Sequence, residues 1–207
     1  MAKDTRGAGR SCAVYDEWAA GYDRAMRPLE RWFLSGLRRS TLAALPEASR
    51  ILEVGAGTGL NFPYYPVEAE GVASELSREM IRIASGKQRP SGVHLVQTSA
   101  ERLPFADASF DAAVATLVLC SVASPRQALM ELRRVVKPGG TVALLEHVRP
   151  GGLLLGPLFD ALSVLTVALF DDHFNRRTAD EAKRAGLRTV RIESRFFGII
   201  QLIECLV

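Results

Sequence analysis

The sequence is poor in the residues that usually announce metals, disulfides or export. Its three cysteines, Cys12, Cys120 and Cys205, lie far apart, without the paired spacing of a zinc site or a disulfide framework. No cluster of metal ligands is visible, and a reducing cytoplasmic setting is expected. The first ten residues are polar and lack an apolar run, so no signal peptide is expected. Internal repeats and long low-complexity stretches are also missing. Net charge is small, +3, and aromatics make up only 7% of the chain. The excess positive charge gathers at Arg24, Arg27, Arg31, Arg38 and Arg39, with no interleaved aromatics to stack on bases. That argues against a nucleic-acid partner and leaves contact with a membrane surface as the better expectation.

What is present is ordinary globular material: 207 residues, 48% hydrophobic and 24% charged, enough for one domain with a sheet between two helical layers. Residues Val14 to Leu45 read as helical, with Met26, Leu29, Phe33 and Leu37 three and four apart and Pro28 opening a new helix. From Arg50 short apolar runs alternate with helical segments, the pattern of an α/β domain. Strands are expected at Arg50–Val54, Glu70–Ser74, Val93–Gln97, Ala112–Thr116, Thr141–Glu146, Thr189–Phe196 and Ile199–Leu206. Helices are expected at Glu79–Ser85, Arg126–Val136 and Thr178–Ala185, the last ended by Gly186. Lys137-Pro138-Gly139-Gly140 reads as a turn launching the fifth strand. The short link at Gly198 makes the last two strands an antiparallel hairpin.

Gly151 to Phe170 carries one charge, Asp160, in twenty residues. Gly156-Pro157 interrupts it between two elements of the core, so it reads as a buried or lid helix, or a surface membrane contact, before it reads as a span.

Two motifs point to a nucleotide-like cofactor. Ile51-Leu52-Glu53-Val54-Gly55-Ala56-Gly57-Thr58-Gly59 is an apolar strand running into glycines, which permit a tight turn and close ligand approach. Glu75 follows Gly55 by 20 residues, where an acid can accept ribose hydroxyls. An NAD-dependent oxidoreductase is the rival reading, but Leu60 stands where the dinucleotide fingerprint needs glycine or alanine. A cofactor-binding module without turnover is another rival.

These blocks, with Glu75-Leu-Ser-Arg-Glu-Met80, Leu103-Pro-Phe105, Ser109-Phe-Asp111 and Arg134-Val-Val-Lys-Pro-Gly-Gly140, resemble class I S-adenosylmethionine-dependent methyltransferases. The resemblance implies a Rossmann-like, doubly wound, seven-stranded α/β sheet, mostly parallel with an antiparallel C-terminal hairpin strand. It implies capping helices over residues 1–45, a cofactor core over 50–146, an acceptor-side apolar insertion over 148–177, and a final helix and hairpin over 178–207. Carried over, the cofactor contacts are Glu53, Gly55, Ala56, Gly57 and Gly59, then Glu75, Leu76 and Met80, then Ser99, Ala100 and Glu101. Thr116 and Leu117 fall beside the reactive methyl, and Ser99 replaces the acid that many relatives place at the adenine. Tyr15 and Tyr22, in a Tyr-Asp pattern seven residues apart, are similar to the helix that closes over the cofactor in quinone and lipid methyltransferases.

The product would be S-adenosylhomocysteine. Methyl transfer from a sulfonium needs alignment and water exclusion first, and a base only for a protonated nucleophile. Candidate bases are His147, Asp171 and His173. Thr116-Leu-Val-Leu-Cys-Ser-Val122, Glu146-His-Val148 and Leu169-Phe-Asp171 resemble thiol S-methyltransferases. The Tyr-Asp helix, the arginines and Gly59-Leu-Asn-Phe-Pro-Tyr-Tyr-Pro66 resemble bacterial phospholipid N-methyltransferases. Both imply a small hydrophobic or phospholipid acceptor, a pocket lined by Leu153–Phe170, and peripheral membrane contact through that stretch or the Arg24–Arg39 helix.

Overall fold

The computed structural model describes residues 5–47, 49–150, 155–170, 173 and 175–207. Seven strands form one sheet in the order β3-β2-β1-β4-β5-β7-β6. They are β1 Arg50–Val54, β2 Glu70–Glu75, β3 Gly92–Gln97, β4 Phe110–Thr116, β5 Val136–His147, β6 Arg188–Arg195 and β7 Ile200–Leu206. The first five are parallel, while β7 runs antiparallel to both β5 and β6. The helices are α1 Thr5–Leu29, α2 Ser35–Leu42, α3 Arg78–Ser85, α4 Pro125–Val135, α5 Leu155–Phe170 and α6 Thr178–Arg184.

The central strands β1 and β4 carry apolar residues on both faces because each face is covered, with Glu53 of β1 the buried charged exception. On one side Leu52, Val54, Ala113 and Ala115 pack with Leu129 and Leu132 of α4 and Ala182 of α6. On the other, Ile51, Ala73, Ala112 and Val114 pack with Leu42, Phe62 and Ala84. That double burial fixes the strand order, and the order places the C-terminal ends of β1, β2 and β4 side by side, where open α/β sheets bind ligands.

Three local expectations are corrected. Pro28 does not open a helix: it sits inside α1, and the chain continues through a π-helical turn, Glu30–Leu34, into α2. A proline removes one N–H from the ladder and crowds the carbonyl four residues back, and a wider turn accommodates it. Lys137–Gly140 is not a free turn but the first part of a twelve-residue β5. Its register against β4 shifts between Phe110 and Ala112, Gly139 takes a positive φ of 80°, and Gly139 N–H donates to Val207. The apolar segment forms α5, but Leu158 and Val164 are exposed while Gly156 and Ser163 are buried, so the helix is not enclosed. Arg149 and Asp160 hold it through a 2.8 Å ion pair. Among the described residues no helix is long and apolar enough to cross a membrane.

Candidate active site

The loop after β1 builds the floor of a cleft. Gly55, Gly57 and Gly59 have φ of 67°, 55° and 83°, a left-handed run that side-chain-bearing residues resist. Each glycine answers a different constraint. A Cβ at Gly55 would lie 2.3 Å from Val118, and one at Gly59 would lie 2.4 Å from Phe62. At Gly57 a Cβ would meet nothing within 4 Å, so this glycine borders open space in the cleft.

Glu75, at the end of β2, turns back over that loop. Its Oε2 accepts from Gly57 N–H at 2.9 Å, and its Oε1 accepts from Leu76 and Ser77 N–H at 2.7 and 2.8 Å. Burial pushes its carboxyl above the usual range, against the three backbone donors that favour the charge.

Helix α1 lies over the cleft, and two aspartates seven residues apart fasten it. Asp16 Oδ1 accepts from Ser77 Oγ at 2.5 Å and from Glu79 N–H at 3.1 Å, at the start of α3. The Ser77 bond chiefly holds the Asp16 carboxyl below its ordinary value. Asp23 accepts from Thr58 Oγ1 at 2.6 Å and pairs with Lys87 at 2.6 Å. The preceding residues, Tyr15 and Tyr22, line the cleft beneath. The Tyr-Asp repeat therefore joins lining to anchoring; only its tyrosines were expected to matter.

Below the cleft runs a buried polar chain that sequence reasoning misses. Arg38 belongs to the arginine-rich stretch, yet it is buried rather than part of a surface patch. It donates to Glu30 through Nε and Nη2, and through Nη1 to Asn61 Oδ1 at 2.9 Å and Thr116 Oγ1 at 2.8 Å. Asn61 donates in turn to Glu53, which also accepts from Tyr65. Eight residues make about 2.2 turns of α-helix. The wider π turn between Glu30 and Arg38 takes up that excess rotation and lets both face the same way.

After β4 the chain makes the sharpest turn of the site. Leu117 has a φ of 57°, costly for a branched side chain, and three bonds hold it. Its N–H donates to Leu145 at 2.7 Å, while Glu146, fully buried, accepts from Val118 and Leu119 N–H at 2.9 Å each.

A second cavity of about 500 Å³ adjoins the cleft. Its walls are Trp18, Met26, Leu29 and Phe33 from the N-terminal helices, Phe196, Ile199 and Ile200 from the final hairpin, with Cys120 and His147. Tyr15, Tyr22 and Leu117 line both spaces. The described residues that line it come from α1, the π turn, the loop after β4, the end of β5 and the hairpin; Leu153 and Leu154 of the expected wall lie outside the described residues.

Residues 52–144 match the methyltransferase domain family. A ubiquinone/menaquinone biosynthesis C-methyltransferase from Syntrophotalea carbinolica is 35% identical over 173 residues, covering 79% of this chain and 72% of that protein. The chain belongs to the class I S-adenosylmethionine-dependent methyltransferases. A human thiol S-methyltransferase is 36% identical over 132 residues, 61% of this chain and 53% of that one. A demethylmenaquinone methyltransferase from Renibacterium salmoninarum is 35% identical over 144 residues, and the chain spans only 59% of its length. A solved methyltransferase of Thermotoga maritima, described as a possible histamine N-methyltransferase, shares the fold: TM-score 0.73 at 22% identity, over 95% of this chain and 99% of that one.

The cleft of this methyltransferase fits S-adenosylmethionine. It combines open space above Gly57, the carboxylate of Glu75 at its rim, and apolar Met80, Ala100 and Val122 further along. All cofactor candidates read from the sequence line it except Glu53 and Gly59, which support it from behind. Ser99 turns its hydroxyl to the N–H of Glu101, and Glu101 accepts from Ser124 N–H across the cleft wall. Of the candidate bases, His147 is buried and lines the second cavity. His173 lines neither space and donates its N–H to Cys120 O at 3.1 Å; Asp171 lies outside the described residues.

Gly57→Val gives a direct test of the open space. The fold should persist at a cost of about 1–3 kcal/mol for the strained backbone, while affinity for S-adenosylmethionine in calorimetry falls at least about tenfold. Unchanged affinity in a folded variant would remove Gly57 from the cofactor's path.

Proposed function

We propose that this methyltransferase alkylates a small hydrophobic acceptor, and we infer a lipophilic thiol as its class. The observation that carries the reading is the shared wall: Tyr15, Tyr22 and Leu117 border the cofactor cleft on one side and the apolar cavity on the other. In this reading Glu75 accepts from the ribose hydroxyls, Gly55 to Gly59 pass the methionine end, and Ser99 to Glu101 flank the adenine. Bound S-adenosylmethionine supplies a methyl already activated on a sulfonium. The chain's own work is then to orient and to dry the site.

Leu117 sets the wall at which acceptor and methyl meet, and α1 shuts out water. With S-adenosylmethionine held there, its methyl would be supplied to the thiol sulfur, leaving a thioether and S-adenosylhomocysteine, and the thiol proton would pass to the imidazole of His147. Thiol sulfur is favoured over a phospholipid amine by the lining. Its described residues include no lysine or arginine to neutralise a buried phosphodiester, whereas a thiol needs only an apolar wall and a base.

Formation of S-adenosylhomocysteine, followed by mass spectrometry, separates the classes. Turnover with an alkyl thiol and none with phosphatidylethanolamine vesicles is the expected result; turnover with vesicles alone would transfer the activity to nitrogen and refute the thiol reading. His147→Gln should lower thiol kcat by about 10²–10⁴ while leaving cofactor affinity within about twofold. A kcat within about threefold of the parent would take the proton-accepting role away from His147.

A further inference from the structure

A buried ion pair generally stabilises a fold no better than packed apolar side chains of similar volume would. Arg38 nevertheless reaches the cofactor cleft from α2, 4% exposed, and it is the one cation among the described residues that line that cleft. Its counter-ion stands elsewhere. Glu30, in the π turn, pairs with Arg38 at 2.9 Å but is not among the described residues that line the cleft. The cleft therefore meets the guanidinium and not the carboxylate. A guanidinium carries five N–H groups in one plane. The N–H of Nε and one of Nη2 go to Glu30, and the two of Nη1 go to Asn61 Oδ1 and Thr116 Oγ1. The remaining N–H, on Nη2, has no acceptor among the described residues.

The same partners fix where the guanidinium stands. Thr116 ends β4 and Asn61 follows the glycine loop, whereas Glu75 ends β2, on the other side of β1. Glu75 and Arg38 thus flank the glycine loop from opposite sides, an acceptor towards β2 and a donor towards β4. A ligand lying across the loop meets a carboxylate first and a cation last. S-adenosylmethionine has the matching polarity: ribose hydroxyls that donate and, beyond the sulfonium, an amino-acid carboxylate that accepts.

We propose that Arg38 binds the amino-acid carboxylate of S-adenosylmethionine. The inference rests on Glu75 taking the ribose, which sets the direction in which the cofactor lies. Held by Glu30, Asn61 and Thr116, the guanidinium offers a charge-assisted hydrogen bond from a position already fixed. Calorimetry with two ligands tests this: S-adenosylmethionine and its decarboxylated analogue, which keeps adenosine, sulfonium and ammonium and lacks only the carboxylate. The parent should bind S-adenosylmethionine at least about tenfold more tightly than the analogue. Glu30→Gln/Arg38→Gln removes both charges of the pair, so neither is left buried alone. It should bind the two ligands within about threefold of each other, with an affinity for the analogue close to the parent's, which also shows that it folds. Arg38→Lys keeps a cation without the planar fork, and its preference should fall between the two. A role confined to holding the fold would lower both affinities by one factor and leave the preference unchanged. A parent that binds both ligands within twofold would overturn the proposal before any variant is made. So would a double variant that keeps the parent's preference. Glu75→Ala tests the underlying orientation separately. If it weakens both ligands alike while the double variant keeps the preference, the Arg38 assignment alone fails; if it weakens neither, the ribose assignment and the direction of the cofactor fail.

Discussion

Glu75→Ala should bind S-adenosylmethionine at least about tenfold more weakly than the parent, because a charge-assisted hydrogen bond is worth about 1.5–3 kcal/mol. A carboxylate offers about four acceptor sites. Three are taken by the N–H groups of Gly57, Leu76 and Ser77, and Oε2, with a single backbone donor, keeps capacity for a ribose hydroxyl. The substitution also frees the glycine loop from its tie to β2. A pH series adds a second signature. Burial holds the Glu75 carboxyl above the ordinary range, so the charged form that accepts hydroxyls is lost early on acidification. Parent affinity should therefore fall as pH drops, before the usual carboxylate range is reached, and this acid limb should be missing in Glu75→Ala. Calorimetric affinities within twofold of each other across the series would exclude Glu75 from cofactor binding.

Arg38→Leu should be the most destabilising substitution in the site, by about 3–5 kcal/mol, because it strands buried partners rather than merely deleting a contact. Glu30 loses its cation, and Asn61 Oδ1 and Thr116 Oγ1 lose a donor. For a chain of this size that corresponds to a fall in Tm of about 6–20 °C. Glu30→Leu/Arg38→Leu should be less damaging than the sum of its single changes, since the double variant leaves no uncompensated charge at the pair. Thermal unfolding of the four proteins tests this. A loss below about 1 kcal/mol for Arg38→Leu, or strict additivity, would mean that the chain from Glu30 to Glu53 contributes little to holding α2 on the sheet.

The parts of this molecule legible in the sequence are those where local chemistry and fold agree. All seven strands stand close to their expected places because each apolar run is bounded by turn residues; the inner strands are also buried on covered faces, while the edge strand β6 is largely exposed. The glycine loop was readable because three left-handed backbone positions admit few alternatives. The errors have equally definite causes. Pro28 suggested a helix start because proline suits the first turn, but a π turn absorbed its missing bond. Lys137–Gly140 carried turn residues, yet the C-terminal Val207 supplied partners that kept the segment in the sheet. Arg38 looked like one more surface cation, since nothing local shows that Glu30 lies eight residues before it and Thr116 lies across the fold. The cavity itself was not legible either, because its described walls are residues scattered from Val14 to Ile200. Only tertiary structure joins them.

The central claim is that acceptors enter an apolar cavity behind Leu117 and are methylated there. The most direct test is kcat/KM for alkyl thiols of increasing chain length, read as S-adenosylhomocysteine formed. Each buried methylene contributes about 0.8 kcal/mol, so kcat/KM should rise about three- to fourfold per carbon until the cavity is filled, then level off. Rates that do not change with chain length would contradict the account, because the methyl would then be delivered to an acceptor that never occupies the cavity.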